Sequence, residues 1–212
     1  GIYQNAEDIK KYPNNNPVKP GDLRFEDINA DGIINAKDRT WLGSPIPTFN
    51  YGFNLELSYS GFDFNADFNG VHGNKILNAK KMFRGFGIPN FETSFLNRWN
   101  KDNLSTTDPR ITNGGYPNFV VSDHFLEDGS FFRLRTLGLG YTLADSLVKK
   151  LGIRSLRIYG TANNLFTWTK YSGYDPEVST SRNTGYQGLT PGVDYSSFPR
   201  SRAYTVGVNV TF

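Results

Sequence analysis

Ala203-Tyr204-Thr205-Val206-Gly207-Val208-Asn209-Val210-Thr211-Phe212 is the stretch on which the fold turns. Tyr204, Val206, Val208, Val210 and Phe212 hold the even positions, and Thr205, Gly207, Asn209 and Thr211 the odd ones. Strict period-two alternation describes a strand with one oily face and one polar face. A soluble sheet covers such a strand at its edge, but this one closes the sequence. A tilted strand of about 9–11 residues is also long enough to cross a bilayer. The expectation is a membrane-crossing strand ending on an aromatic residue.

Working outward, Tyr51–Ser60 repeats the pattern. Tyr51, Phe53, Leu55, Leu57 and Tyr59 share one face; Gly52, Asn54, Glu56 and Ser58 share the other. Ser60-Gly61 reads as a tight turn. Phe62, Phe64, Ala66 and Phe68 then alternate with Asp63, Asn65, Asp67 and Asn69. This predicts a hairpin with one greasy face and one acidic, amide-rich face. Aromatics at both ends of the apolar stripe match the girdles that mark two membrane interfaces.

A third strand is predicted at about 131–143, with Leu137, Leu139, Tyr141 and Leu143 on the apolar side. Arg133 and Arg135 share their parity, which conflicts with a lipid face. Either they reach the headgroups by snorkelling, or a local bulge moves them. A fourth strand near 155–167 alternates poorly, and its faces are not assigned. Ala144–Gly152 reads as a short helical turn, and a short helix is expected near 92–99. Residues 1–50, 74–129 and 168–200 read as long, largely irregular connections, while 60–61 and 144–154 are short. That asymmetry is the loop pattern of bacterial outer-membrane barrels. About five strands are too few to close such a barrel, which needs at least eight. The fold class expected is therefore all-β: the last five or so strands of a larger antiparallel transmembrane barrel. Residues 1–50 form an external loop region, and residues 51–212 one partial barrel domain.

Composition agrees. The 212 residues include 17 Phe and 12 Tyr, yet only 37% are hydrophobic. A barrel wall reconciles these values, because half of each strand faces a wet lumen. There is no Cys, hence no disulfide and no thiol chemistry. The net charge is +3, with no basic stripe of the kind that binds nucleic acid. The only histidines, His72 and His124, lack metal-ligand spacing. No G-x-S-x-G elbow or phosphate loop occurs, and no acidic pair is singled out for glycoside hydrolysis. The reading is a non-enzyme.

Asp27-Ile28-Asn29-Ala30-Asp31-Gly32-Ile33-Ile34-Asn35-Ala36-Lys37-Asp38 matches the twelve-residue calcium-loop pattern up to its last position. Asp27, Asn29, Asp31, Asn35 and Asp38 supply side-chain oxygens, and Ile33 its carbonyl. Gly32 sits at the sharp turn, and Ile34 is placed to anchor the loop among apolar neighbours. Calcium takes 6–8 oxygen ligands. Asp38 is shorter than the usual Glu, so magnesium or sodium is an alternative ion. Asp, Asn and Gly also build ordinary turns without an ion.

Taken together these stretches resemble the C-terminal part of SusC/RagA-type TonB-dependent outer-membrane transporters. The resemblance rests on Gly21–Gly43, Pro47–Gly73, Arg98-Trp99 with Asp108-Pro109-Arg110, Phe125–Leu143, Asn163–Val178 and Phe198–Phe212. It is weaker over 76–97 and 179–197. It implies a 22-stranded barrel in the bacterial outer membrane, filled by an N-terminal plug and energised through TonB. It also implies a SusD-like lipoprotein capping the outer opening, and oligosaccharides or peptides as cargo. Plug and TonB-binding motif are not among these residues, which would supply wall, external loops and the terminal strand. Loop aromatics such as Trp99, Trp168, Tyr171 and Tyr174 are candidate sugar platforms, with loop packing the simpler role. The competing expectation is a soluble, calcium-stapled β-sandwich that binds glycans or surface partners.

Overall fold

The computed structural model describes residues 1–14, 17–83, 93–112, 115–149, 152–178 and 191–212. Its strands are β1 (Phe49–Tyr59), β2 (Phe62–His72), β3 (Lys75–Asn78), β4 (Leu126–Asp128), β5 (Phe131–Thr142), β6 (Ser155–Thr169), β7 (Val193–Asp194) and β8 (Ala203–Thr211). Short helices α1 (Ala6–Lys11), α2 (Ala79–Phe83) and α3 (Asp145–Val148) lie between them, with single 3₁₀ turns at Ala36–Asp38, Thr93–Asn97 and Asp123–Phe125. The helix expected near 92–99 is thus a 3₁₀ turn, and residue 92 lies outside the described residues. The chain divides into two compact units, residues 1–42 with 78–126 and residues 43–77 with 127–212.

The second unit contains a five-stranded antiparallel sheet in the order β1-β2-β5-β6-β8, open at β1 and β8. A smaller sheet orders β4-β3-β7. Ser60 and Gly61 both take positive φ (49° and 87°), the geometry of a tight hairpin turn, so β1 and β2 pair from Tyr59↔Phe62 to Phe49↔His72. Register then places Leu55, Ala66, Leu137 and Ala162 in one row, continued to Tyr204.

That register settles the two strands that alternation left open. Asp67 pairs with Thr136 but Phe68 pairs with Leu134, so Arg135 is an extra residue on β5. A bulge of one residue exchanges the faces beyond it. Arg133 therefore falls opposite Asn69 and Thr167 on the polar face, and the bulge, not snorkelling, resolves its parity. On β6 the oily face is Leu156, Ile158, Gly160, Ala162, Phe166 and Trp168, with Asn164 at φ 54° beside the β5 bulge.

The oily face carries aromatic rows at both ends. At one end Tyr51 stacks on Phe132 (6.0 Å between ring centroids), Phe132 on Phe68 (5.2 Å) and on Trp168 (5.6 Å). Gly70 makes room beneath Tyr51, whose hydroxyl donates to the Phe131 carbonyl at 3.0 Å. At the other end Phe62 meets Tyr141 at 4.5 Å. From Tyr51 to Tyr59 is about 27 Å along a strand, or about 20 Å across a membrane at a tilt of about 40°. Aliphatic side chains and Phe64 fill the band between.

Nothing among the described residues covers this face. Val206 is 82% exposed and Tyr204 70% exposed, with Leu57, Leu139, Ile158 and Val208 also open. A β-sandwich would bury these side chains against a second sheet, so that expectation is corrected: the apolar face is bare. Within the sheet's oily face, Ala66 and Leu134 are buried.

The first unit is held by polar knots around a small core of Ile2, Tyr3, Leu23 and Phe125. Helix α1 is capped by Asn5, whose side chain accepts from the Asp8 N–H, and has acids in its first turn and lysines in its last.

Candidate functional site

Three places in the structure bear on function. They are the 27–38 loop, the knot that joins the family-like motifs, and a recess on the polar face of the large sheet.

In the loop, Asp27 accepts from the N–H groups of Asp31 (3.2 Å) and Gly32 (2.7 Å). Gly32 takes φ 82°, which a side chain would strain, and Ile34 is buried as its anchoring role requires. Asp31 receives the Asn29 amide at 2.9 Å and the Ile33 N–H at 3.0 Å, and these bonds, Asn29 first, hold its carboxyl below the usual range. Asp38 accepts from Ile28 and Asn35, and the Ile33 carbonyl accepts from the Asn35 amide. The six sequence-predicted ligands thus share one closed loop with the oxygen-rich donor set that suits a hard cation. Their carboxylates are turned onto the loop's own backbone, and among the described residues no three His, Cys, Asp or Glu side chains form a metal-holding group.

The motifs that carried the resemblance meet in space in the first unit. Asp22 is buried. It takes the Arg110 guanidinium at 2.6 Å, the Asn118 amide at 2.9 Å and the Lys19 N–H at 2.8 Å. Gly21 donates to the Tyr3 carbonyl (2.7 Å) and accepts from the Arg110 N–H (2.7 Å). Trp99 lies over Gly21, bonded through its indole N–H to Gln4 at 3.2 Å and through its backbone to Asp108. Sequence spacing gave no hint that these segments, some 80 residues apart, form one knot.

The recess lies at the end of the large sheet where β5 begins and β6 ends. Its floor is Arg133, 2% exposed in its side chain. Nη2 is 2.6 Å from Asp175, Nη1 bonds Glu177, and Nε donates to Thr167 at 2.9 Å. Arg200 binds Glu177 at 3.1 Å, and its N–H donates to Asp175. The connection after β6 is therefore folded back onto the polar face. A second clamp holds its base. The Tyr171 hydroxyl donates to Asp194 at 2.6 Å, and Asp194 also takes the N–H groups of Ser196 and Ser197. Burial first, then that carboxylate, pushes the Tyr171 phenol up.

These positions sort the four loop aromatics. Trp99 and Tyr171 are packing residues. Trp168 belongs to the oily face, in the aromatic row with Phe132. Tyr174 is exposed and lines the recess. Elsewhere on the polar face, Arg157 reaches across Gly140 to Asp63, with Nε 2.8 Å from the carboxylate. A side chain at Gly140 would collide with that pair. Tyr159 likewise lies over Gly207.

The combination of bare apolar face, aromatic rows, polar inner face and folded-back loops defines a segment of a transmembrane β-barrel wall. Comparison with known proteins narrows the class. The chain is 35% identical over 194 residues to TonB-dependent receptor P3 of Formosa agariphila, covering 91% of the chain and 19% of that receptor. It is 32% identical to TonB-dependent receptor P26 of the same organism over the whole chain and 22% of the receptor. It is 26% identical to TonB-dependent receptor SusC of Bacteroides thetaiotaomicron, over 92% of the chain and 18% of the receptor. Among solved structures it matches the RagAB peptide transporter (TM-score 0.64, 32% identity, 80% of the chain and 18% of the matched chain). It also matches the RagAB peptide importer in its closed-closed state (TM-score 0.67, 31% identity, 89% and 20%). No protein-family model matches. The chain is related over nearly its whole length to TonB-dependent receptors of the SusC/RagA type, and its place is the bacterial outer membrane. It spans about a fifth of the length of the curated relatives it matches.

Proposed function

We propose that this chain is the C-terminal wall and loop portion of an outer-membrane nutrient importer with a 22-stranded barrel. The cargo proposed is oligosaccharide or peptide, received with a SusD-like lipoprotein as lid. Energy comes from TonB, acting through a region outside these residues. The observation that carries the reading is the five-stranded sheet with one bare, aromatic-framed face, in a chain related to TonB-dependent receptors. Hydrocarbon is the partner that makes such exposure favourable, at about 25 cal/mol per Å² of apolar surface removed from water. The polar face, with Glu56, Asp63, Asp67 and their amide neighbours, suits the wet interior.

The test uses the full-length receptor gene in its own bacterium. Deleting the receptor, or its lipoprotein partner alone, is expected to abolish growth on one class of oligosaccharide or peptide, and the receptor is expected in the outer-membrane fraction. Unchanged uptake of every such nutrient without the receptor would remove the reading.

We further propose that the 27–38 loop binds calcium, with magnesium or sodium as weaker alternatives, through Asp27, Asn29, Asp31, Ile33, Asn35 and Asp38. The support is the spacing of its oxygens and the turn at Gly32. The ion would stiffen an exposed loop and supply no chemistry of transport. Calcium is expected to protect the loop of the purified receptor from protease, and Asp27→Ala to remove that protection. Equal cleavage with calcium and with chelator would refute it.

A further inference from the structure

We infer that the recess over Arg133 is a carboxylate-binding subsite on the polar face of the wall. This rests on the importer reading and specifies its cargo. The recess has a volume of about 350 Å³ and lies wholly within the second unit. Three guanidinium groups line it, those of Arg133, Arg200 and Arg202. Two carboxylates answer them, Asp175 and Glu177, so one positive charge is left over.

The surplus is localised. Arg133 is spent on Asp175, Glu177 and Thr167 and forms the rigid floor. Arg200 gives Nε to Glu177, and its side chain is 54% exposed, so among the described residues its terminal fork stays open. Arg202 is exposed, and among the described residues no carboxylate pairs with it. Two open forks beside a fixed floor offer the paired N–H donors that recognise a carboxylate in bidentate fashion. Among the described residues, Glu56, Asp67 and the Asp63–Arg157 pair give the neighbouring part of the polar face no surplus of cations. An acidic group is therefore drawn to the recess at the loop end of the wall.

The remaining lining gives the shape of the ligand. Tyr174, Pro176 and Pro199 place three flat or rigid apolar surfaces beside the cations. That pairing fits a carboxylate attached to a compact apolar or ring-like body. A free peptide terminus and a uronic-acid sugar both present that chemistry.

The experiment titrates two matched probe pairs into the purified full-length receptor by calorimetry. One pair is N-acetyl-trialanine and its C-terminal amide; the other is digalacturonate and its methyl ester. The expected result is that at least one charged probe binds about tenfold more tightly than its neutral twin. Which pair shows the preference identifies the source. Arg202→Gln should remove most of the preference, and salt should weaken it. Because Arg202 is exposed and pairs with no carboxylate among the described residues, its variant should keep wild-type gel mobility before and after heating. If Arg200→Gln fails to assemble, Arg202→Gln decides alone.

Equal binding of charged and neutral probes in both pairs overturns the inference, as does a preference unchanged in Arg202→Gln. A receptor that imports nutrients normally but shows no charge preference sinks this inference alone. A preference in a receptor that imports nothing sinks the importer reading instead.

Discussion

Arg133 and Asp175 form an ion pair of 2.6 Å between side chains only 2% and 7% exposed, joining the start of the central strand β5 to the loop that follows β6. Opening a buried pair from one side costs about 3–5 kcal/mol, because the surviving charge stays out of water. Asp175→Ala in the full-length receptor should therefore release the 168–200 connection. The measurement is limited proteolysis: cleavage within this connection should rise by at least tenfold while the strands stay protected. The double change Arg133→Leu with Asp175→Leu should recover part of the protection, since no lone charge remains. Equal cleavage of wild type and Asp175→Ala would show that the pair holds nothing.

Gly21 offers a sharper steric case. Its φ of 90° favours glycine, and a Cβ there would drive into the Trp99 ring and lie 2.9 Å from the Arg110 Cβ. Gly21→Ala should destabilise the first unit by about 1–3 kcal/mol. Trp99 emission should shift to the red as the ring lifts from its seat, which is read against a Trp99→Phe control. An unshifted spectrum with an unchanged melting temperature would contradict the packing described.

The two faces of β8 make opposite demands one residue apart. Val206 pairs with Gly160 within the oily band, and Thr205 pairs with Thr161 on the polar face. An arginine facing lipid near the bilayer midplane costs about 2–4 kcal/mol, whereas a lumen-facing one is tolerated. Val206→Arg should thus sharply reduce the amount of heat-modifiable receptor in the outer membrane, and Thr205→Arg should leave most of it. The reverse order would mean that the faces have been assigned backwards.

How far the sequence could carry these conclusions depended on side-chain size and on chain separation. β1, β2 and β8 were legible because large apolar and polar residues alternate without interruption. β6 was not, because Gly160 and Ala162 hold oily-face positions without an oily side chain and Asn164 bends the strand. Arg133 was legible only as a conflict, which the extra residue Arg135 resolves by exchanging faces. The recess left no local signature at all. Arg133, Asp175 and Arg200 lie in separate segments, and pairing among them follows from how a loop returns to the sheet. The calcium-like loop is the converse case. Its spacing is plain in the chain, while its carboxylates are occupied by the loop's own N–H groups.

His124 makes the first unit sensitive to acid. Burial, and secondarily the Lys81 ammonium, push its imidazole down to about 4, against a smaller opposing pull from Asp108 and Asp123. Lys81 also donates to the His124 carbonyl at 3.2 Å, and the Phe125 ring stands edge-on at 4.7 Å, so the neutral ring is enclosed. The unfolded chain takes up this proton near pH 6.5, whereas the folded chain resists until about pH 4. Its contribution is therefore fully present above pH 6.5 and is lost as pH falls from 6.5 to about 4. Other carboxylates titrate in the lower part of that window, so the informative quantity is a difference between variants. Between pH 7 and 5 the melting temperature of the first unit, followed by Trp99 emission, should fall more steeply in wild type than in His124→Gln. Glutamine keeps a polar side chain of similar reach and binds no proton there. Parallel slopes for the two proteins would mean that His124 is not held neutral by its surroundings.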